Sequence, residues 1–310
     1  MELKANYRMS SSLKIGIDLG GTKTEIIVLD KSGQALLRRR VATPAEDYAA
    51  IFATIAELVQ TAERDLGARA SVGVGAPGAI SAVFGGLKNS NTTCLNGRPL
   101  KQDLERLLAR EIRLANDANC FALSEAVDGA GAGAEVVFGV ILCTGVGGGI
   151  VVDGKIIEGA NAIAGEWGHN RLPSGDAAEL PGPLCYCGRH GCVETWLSGP
   201  GLARDHVAHG GAVMTAQAVA AAALAGEPVA RASLARYQDR LARSLALVIN
   251  ILDPQVVVLG GGLSNIDALY AGLPALLRKQ VFSDEVVTRV VKHRHGDSSG
   301  ARGAAWLWGS

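Results

Sequence analysis

The stretch that decides the fold is KIGIDLGGTKTEIIVLDKSGQALLRRRV, residues 14–41. Aliphatic and β-branched runs bounded by Gly and Asp turns predict a strand over Ile15–Leu19, a turn at Gly20-Gly21-Thr22 and a strand over Thr24–Leu29. A turn at Asp30–Gly33 and a third strand follow. The pattern recurs at residues 136–158, VVFGVILCTGVGGGIVVDGKIIE: strand, glycine-rich turn after a Thr, strand, Asp-Gly turn, strand. Short glycine hairpins are common and two of them can be unrelated. The shared pairing of a Thr/Gly step with a following Asp turn favours a duplicated α/β architecture with a cleft between its halves.

A chain of 310 residues, 48% of them hydrophobic, has material for a sizeable core and for two domains. Lys and Arg together number 30, as do Asp and Glu, which argues against a dedicated nucleic-acid surface. No apolar run reaches the roughly 18 residues of a membrane helix. The first residues, MELKANYRMSSSLK, are too polar for a secretory signal, so residues 1–13 read as a flexible leader and the protein as cytoplasmic. Cys94, Cys120 and Cys143 are scattered and read as small buried apolar residues.

Glycine turns after a buried strand wrap phosphate, because successive N–H groups form an anion cradle. Two such turns facing each other would grip a polyphosphate from both sides. There is no GxxxxGK[ST] and no GxGxxG opening a helix, so neither a P-loop nor a dinucleotide fingerprint is present. A third glycine junction, VVVLGGGLSN at 256–265, follows an apolar strand and precedes a helix from about Asp267. Its bare backbone suits a flat adenine ring. Helical spacing also marks Asp47–Leu66 and Arg231–Leu252. The alanine-rich segment 211–228 reads as helix without chemistry.

In IRLANDANCFALSEAVDGAG (112–131) a short strand runs into a helix, with Asn116 or Asp117 near its N-cap. Capping is what such residues usually do. A carboxylate there also has its ionised form favoured by the helix dipole, and Asp117 could accept a proton from a substrate hydroxyl. Three thiols gather in CYCGRHGCVET (185–195), a cluster that in a long chain points to zinc rather than disulfides. A closed site needs a fourth ligand. AIAGEWGHNRLP (162–173) offers His169, near Glu166 with glycines at 165 and 168. His190, inside the thiol loop, is the rival with little room to turn inwards.

These pieces, in order, resemble the ROK family (repressors, open reading frames and kinases): DLGGTK (18–23), GAPG (75–78), NDAN (116–119), TGVGGG (144–149), GEWGH (165–169), CYCGRHGC (185–192) and LGGG (259–262). The longer stretches around NDAN and CYCG, and the ending HGDSSGARGAAWLW, look like bacterial fructokinases of that family. The resemblance implies a two-domain, actin-like (ribonuclease H-like) ATPase fold with duplicated mixed β-sheets and a zinc-binding loop. Residues 14–117 and 297–310 would form a small domain, and 118–296 a large one.

It also implies a kinase that uses ATP and Mg²⁺ on a hexose, with fructose first and glucose, mannose or an N-acetylated hexosamine as alternatives. Asp117 matches the catalytic base, and Gly78, Asn91, Asn116, Glu166, His169 and Glu194 match sugar-binding positions. Asp18, Gly20, Gly21, Thr22, Lys23, Thr144, Gly145, Gly147 and Gly148 match the phosphate loops, and Gly260, Gly261 and Gly262 the adenosine side. His169, Cys185, Cys187 and Cys192 match structural zinc ligands, the metal fixing one ring nitrogen of His169 so that the other meets a sugar hydroxyl. The ATP side lies on different loops, so on loss of zinc its KM is expected to move much less than that of the sugar. A ROK repressor would carry a DNA-binding domain ahead of the first hairpin, and 13 residues are too few. A non-catalytic sensor or a filament subunit fits the complete phosphate-loop and Asp117 set less well. A homodimer is common in the family, and no nucleic-acid or membrane partner is expected.

Overall fold

The computed structural model describes residues 9–81, 83–173 and 177–309. They divide into two compact units, Met1–Gly129 with Ile156–Ala164 and Asp297–Ser310, and Ala130–Lys155 with Gly165–Gly296.

In the first unit, strands β1 (Met9–Leu19), β2 (Lys23–Leu29) and β3 (Ala35–Ala42) lead into helix α1 (Tyr48–Leu66) and strand β4 (Arg69–Ala76). Two-residue strands β5 (Ala79–Ile80) and β6 (Leu87–Lys88) follow, then α2 (Leu100–Leu108), β7 (Ile112–Asn116) and α3 (Asp117–Val127). The sheet order is β3-β2-β1-β4-β7. β1 and β2 are antiparallel, with Ile17 opposite Ile26, while β4 and β7 continue the sheet in parallel, with Val74 opposite Leu114. The sheet is covered on both faces, which is why β2 is buried without alternation from Thr24 to Leu29. On one face Ile15, Ile17, Val28 and Val72 cluster with Ile51, Ile55 and Val59 of α1 and Leu104 of α2. On the other, Gly16 and Gly73 leave no room for a side chain beneath the carbonyls of Ala301 and Ala304. Those carbonyls belong to the last helix, Ser299–Trp306, so the C-terminal segment lies directly on the first strand's backbone.

Three boundaries differ from the sequence reading. β1 begins at Met9, which pairs with Arg69, so residues 9–13 are strand rather than leader. Residues 1–8 lie outside the described residues. The first unit also runs on to Gly129 instead of ending at Asp117, because α3 packs along the C-terminal helix with Gly303 against the Cys120 carbonyl. Residues 156–164 return to it as well, and the two units are of similar length rather than one small and one large.

The second unit repeats the plan. Strands β8 (Val136–Leu142), β9 (Val146–Val152) and β10 (Lys155–Ile156) are followed by helices α4 (Val193–Leu197), α5 (Gly199–Ala208), α6 (Ala216–Leu224) and α7 (Pro228–Leu252). Then come β11 (Val256–Gly260), α8 (Ala268–Leu277) and β12 (Arg289–Lys292), after which α9, the C-terminal helix already described, returns to the first unit. Its sheet order, β10-β9-β8-β11-β12, matches the first position for position, again a hairpin joined to parallel strands. Phe138, Val140, Val257 and Leu259 pack against Leu241 and Leu245 of α7 and Leu273 of α8.

α7 starts three residues before its expected position. The Glu227 carboxylate accepts the Val229 and Ala230 N–H groups, and Pro228 suits a first helical turn that needs no donor. α6 is shorter than the expected 211–228. Thr215 caps it through the Ala218 N–H, and a left-handed Gly226 (φ 94°) follows its end. No helix among the described residues is long and apolar enough to cross a membrane.

Candidate functional site

In the first unit the β7–α3 junction resolves which residue caps. Asn116 is the cap: its Oδ1 accepts from Ala118 N–H (2.9 Å) and Asn119 N–H (3.3 Å), and its Nδ2 donates to the Gly78 carbonyl (3.0 Å). Asp117 is the first helical residue, with Oδ1 2.8 Å from Ala118 N. Gly78 has φ 86°, and a Cβ on it would run into the backbone of Lys88 and Ser90. Asn91 sits exposed beyond Ser90, whose N–H and carbonyl are both held by the Asn96 amide.

The turn Gly20-Gly21-Thr22 is braced from β3. Thr43 donates its hydroxyl to the Gly20 carbonyl (2.8 Å) and its N–H to the Thr22 carbonyl (3.0 Å), and Thr43 and Thr24 hydroxyls meet at 2.8 Å. Lys23, opening β2, is exposed. Asp18 is half-buried at the end of β1, where a Cβ on Gly300 would come within 2.6 Å of its Oδ2. Loss of water, then the charges of Asp117 and Glu25, push its carboxyl up to about 7. Burial would raise Glu25 too, but Arg38 (2.8 Å) and Arg40 hold it below the ordinary range.

In the second unit His169, Cys185, Cys187 and Cys192 bring one ligand atom each to within 4.8 Å of one another. Cys185 Sγ lies 3.6 Å from His169 Nδ1, and Cys187 Sγ 3.6 Å from Cys192 Sγ. A tetrahedral zinc, with bonds of about 2.3 Å to sulfur and about 2.0–2.1 Å to nitrogen, sets edges of about 3.6–3.8 Å. The four residues fit that ion. His190 is outside the cluster, its Nδ1 at 3.1 Å from the Gly182 carbonyl.

Burial works against the thiolate form of all three cysteines. Burial raises Cys185 and pushes Cys192 up to about 12, while hydrogen bonds from Arg189 overcome burial and draw Cys187 down to about 6. A dication would let all three ionise. The loop that carries them is built by short-range bonds: Cys185 N–H to Arg189 O and Leu172 N–H to Gly191 O, each 2.8 Å. Arg243 of α7 grips both Pro173 O and Glu179, so part of this loop is held without metal.

His169 points Nδ1 at the cluster, and its Nε2 lies 2.9 Å from the Tyr186 hydroxyl. The expectation left that nitrogen open for a sugar; in the structure it already has a phenol partner. Glu166 adjoins His169 and Glu194. Desolvation raises its carboxyl, His169 lowers it and Glu194 raises it, with a net rise. Glu194, in the first turn of α4, accepts the Val146 N–H on Oε2 at 2.9 Å.

Cys143, Thr144 and Gly145 form the turn between β8 and β9. Gly147 and Gly148, expected in a phosphate loop, are within β9 and seat Trp167, whose Nε1 donates to Gly147 O at 2.9 Å. Beside the turn opens a pocket of ≈ 340 Å³, lined among others by Cys143, Thr144, Pro200, Thr215, Gln217 and Gly262. That volume is in the range of about 300–1,000 Å³ common for ligand sites. Gly262 reaches the pocket, Gly260 ends β11, and Gly261 (φ 78°) packs against the Leu142 backbone. Two readings change here. Cys143 is exposed in the pocket wall rather than buried, and the start of α6, assigned no chemistry, supplies Thr215 and Gln217. Cys120 is buried as expected and Cys94 half-buried. The N-cap signal of Thr215 was present in the sequence, but nothing local said that it faces a cavity.

Known proteins resemble this chain along most of its length. An N-acetyl-D-glucosamine kinase of Yersinia pseudotuberculosis (serotype O:3) is 43% identical over 297 residues, 94% of this chain and 97% of its own. The crystal structure of a ROK hexokinase from Thermus thermophilus superposes with a TM-score of 0.83 at 31% identity, over 94% of this chain and 96% of that one. A ROK glucokinase from Streptomyces griseus, solved with glucose and AMPPNP, superposes with a TM-score of 0.76 at 29% identity, over 95% and 98% of the two chains. None of these is a fructokinase, so the expected fructose specificity is left without support. Residues 14–310 match the ROK family, and the chain belongs to it.

Proposed function

We propose that this ATP-dependent hexose kinase of the ROK family phosphorylates N-acetyl-D-glucosamine. The observation that carries the reading is the 43% identity to an N-acetyl-D-glucosamine kinase across 94% of the chain. The site chemistry supports the reaction type. Asp117 opens α3 with one carboxylate oxygen tied to Ala118 N–H, which fixes its orientation and stabilises its charge. Its other oxygen takes the proton of the sugar hydroxyl as that oxygen attacks the γ-phosphorus of ATP and ADP leaves. Asn116 holds the Gly78 carbonyl and the helix start, and keeps one amide N–H for the sugar.

Glu166, Glu194 and His169 bind further sugar hydroxyls. With zinc on Nδ1, His169 carries its proton on Nε2, and a sugar oxygen competes for it with Tyr186. The N–H groups of the Gly20–Thr22 and Cys143–Gly145 turns, with Lys23, bind phosphates, and the pocket lined by Thr215, Gln217 and Gly262 takes the adenosine. Asp18 suits Mg²⁺: a carboxyl pushed up to about 7 by loss of water and then by the charges of Asp117 and Glu25 is one that a cation stabilises. When bound, that ion neutralises charge on the phosphates.

A coupled ADP-release assay across N-acetylglucosamine, glucose, mannose and fructose tests the reading. The highest kcat/KM is expected for N-acetylglucosamine. A higher value for another hexose overturns the specificity, and no sugar-dependent ADP release overturns the kinase.

A further inference from the structure

We infer that Glu194 is a positioning residue for the nucleotide turn, tying Cys143–Val146 to the loop that carries the metal ligands. This rests on the reading of that turn as a phosphate-binding element. Glu194 was expected to act on the sugar alone. Its Oε2 instead accepts the Val146 N–H, the donor that closes the turn onto β9, at 2.9 Å. Gly145 lies so close that a Cβ there would come 2.7 Å from the same oxygen. A second bond runs alongside, from Gly199 N–H just beyond α4 to the Cys143 carbonyl at 2.7 Å. Within the turn, Cys143 N–H donates to Gly145 O at 3.0 Å. The turn therefore hangs by two hydrogen bonds, one to a carboxylate in the first turn of α4 and one from Gly199 at the start of α5.

α4 in turn begins immediately after Cys192, a residue of the metal cluster and the N-cap of that helix. Val193 N–H is fixed to Asn170 O (2.8 Å), one residue after His169. Cluster, α4 and turn form a continuous chain of short contacts within one unit. A carboxylate bound to a single backbone N–H keeps its other oxygen for a sugar hydroxyl, so one side chain serves both substrates. Glu194 is thus the physical link that makes nucleotide binding depend on the metal loop.

The test separates acceptor from charge. Glu194→Gln keeps an oxygen that accepts from Val146, whereas Glu194→Ala does not. Mg-AMPPNP binding is measured by calorimetry with no sugar present, so a sugar contact cannot contribute. Amide hydrogen exchange at Val146 is followed in the same ligand-free proteins. Glu194→Ala is expected to speed exchange at Val146 and weaken AMPPNP about ten-fold, the usual weight of a hydrogen bond to a charged group, with Glu194→Gln within about three-fold of wild type.

Gly145→Ala, which displaces the carboxylate from the opposite side, should match Glu194→Ala. Chelating the metal from the wild-type protein should also speed Val146 exchange. Unchanged exchange in folded Glu194→Ala overturns the positioning role and leaves the kinase reading standing. Faster exchange with unchanged AMPPNP affinity also overturns it, and shows that the turn is not the nucleotide's.

Discussion

The two glycine hairpins share one topology, yet their turns are held by different means. Gly20–Thr22 is braced by Thr43, a neighbour at the end of the same three-stranded meander. For Cys143–Gly145 the corresponding strand, β10, is only Lys155–Ile156, and the brace comes from Glu194, 48 residues along the chain from Val146. A duplicated sheet therefore does not imply duplicated control. The first turn depends on its own sheet, and the second depends on a helix that starts at Cys192, a residue of the His169–Cys185–Cys187–Cys192 cluster.

The largest expected effect concerns the first unit. Asp117→Asn should lower kcat by about 10²–10⁴, since the amide accepts no proton. Because Asn116 and not Asp117 is the cap, unfolding by calorimetry should change by less than about 1 kcal/mol. A variant within threefold of wild-type kcat removes Asp117 from the mechanism.

The comparison is sharpened next by removing the metal, through chelation or Cys187→Ser. Without it His169 and α4 are no longer cross-linked to Cys185 and Cys187, so the sugar KM should rise ten-fold or more. If the second turn is braced as described, the ATP KM rises with it, contrary to what separation in the sequence implies. An unchanged sugar KM in folded, metal-free protein would mean that the metal only stabilises. Metal content and melting temperature are read on the same preparation.

Thr43→Val tests the other turn. It deletes the hydroxyl contacts to Gly20 and Thr24 at a cost of about 1 kcal/mol. ATP KM should rise a few-fold, and the ratio to wild type should be the same with and without chelator. A ratio that changes on chelation breaks the claimed independence of the two turns.

The smallest effect is a pH slope. Asp18 has its carboxyl raised from 3.8 to about 7, so the folded state holds its proton more tightly than the unfolded state. Its contribution to stability is full below about 4 and is lost as pH rises through about 7. Ligand-free Asp18→Asn should lack that part of the decline. Melting scans between pH 4 and 8 measure it, and parallel curves for the two proteins would refute it.

Much of the site was legible because its signals are short. Three of the four cluster residues fall between 185 and 192, and glycines there allow a tight loop, so spacing alone pointed to a metal. The paired hairpins announced the repeated sheet order, and Asp47 and Gly67 mark the ends of α1 by ordinary capping chemistry. His169, 16 residues upstream, was reached as a histidine preceding the thiol cluster in an otherwise His-poor segment, with the family resemblance added to that reading.

Other parts belong to the tertiary structure. Which of Asn116 and Asp117 caps α3 depended on where the Gly78 carbonyl lay. The pocket needed the start of α6 beside Gly262, and the raised Asp18 needed Glu25, Asp117 and the C-terminal helix around it. Strand alternation, caps and ligand spacing are set by backbone geometry over a few residues, and the sequence by itself determines them. The Glu194 brace, the pocket wall and the perturbed carboxyl arise where chain segments far apart in sequence meet. Their hydrogen bonds and desolvation exist only once the sheets and helices have packed.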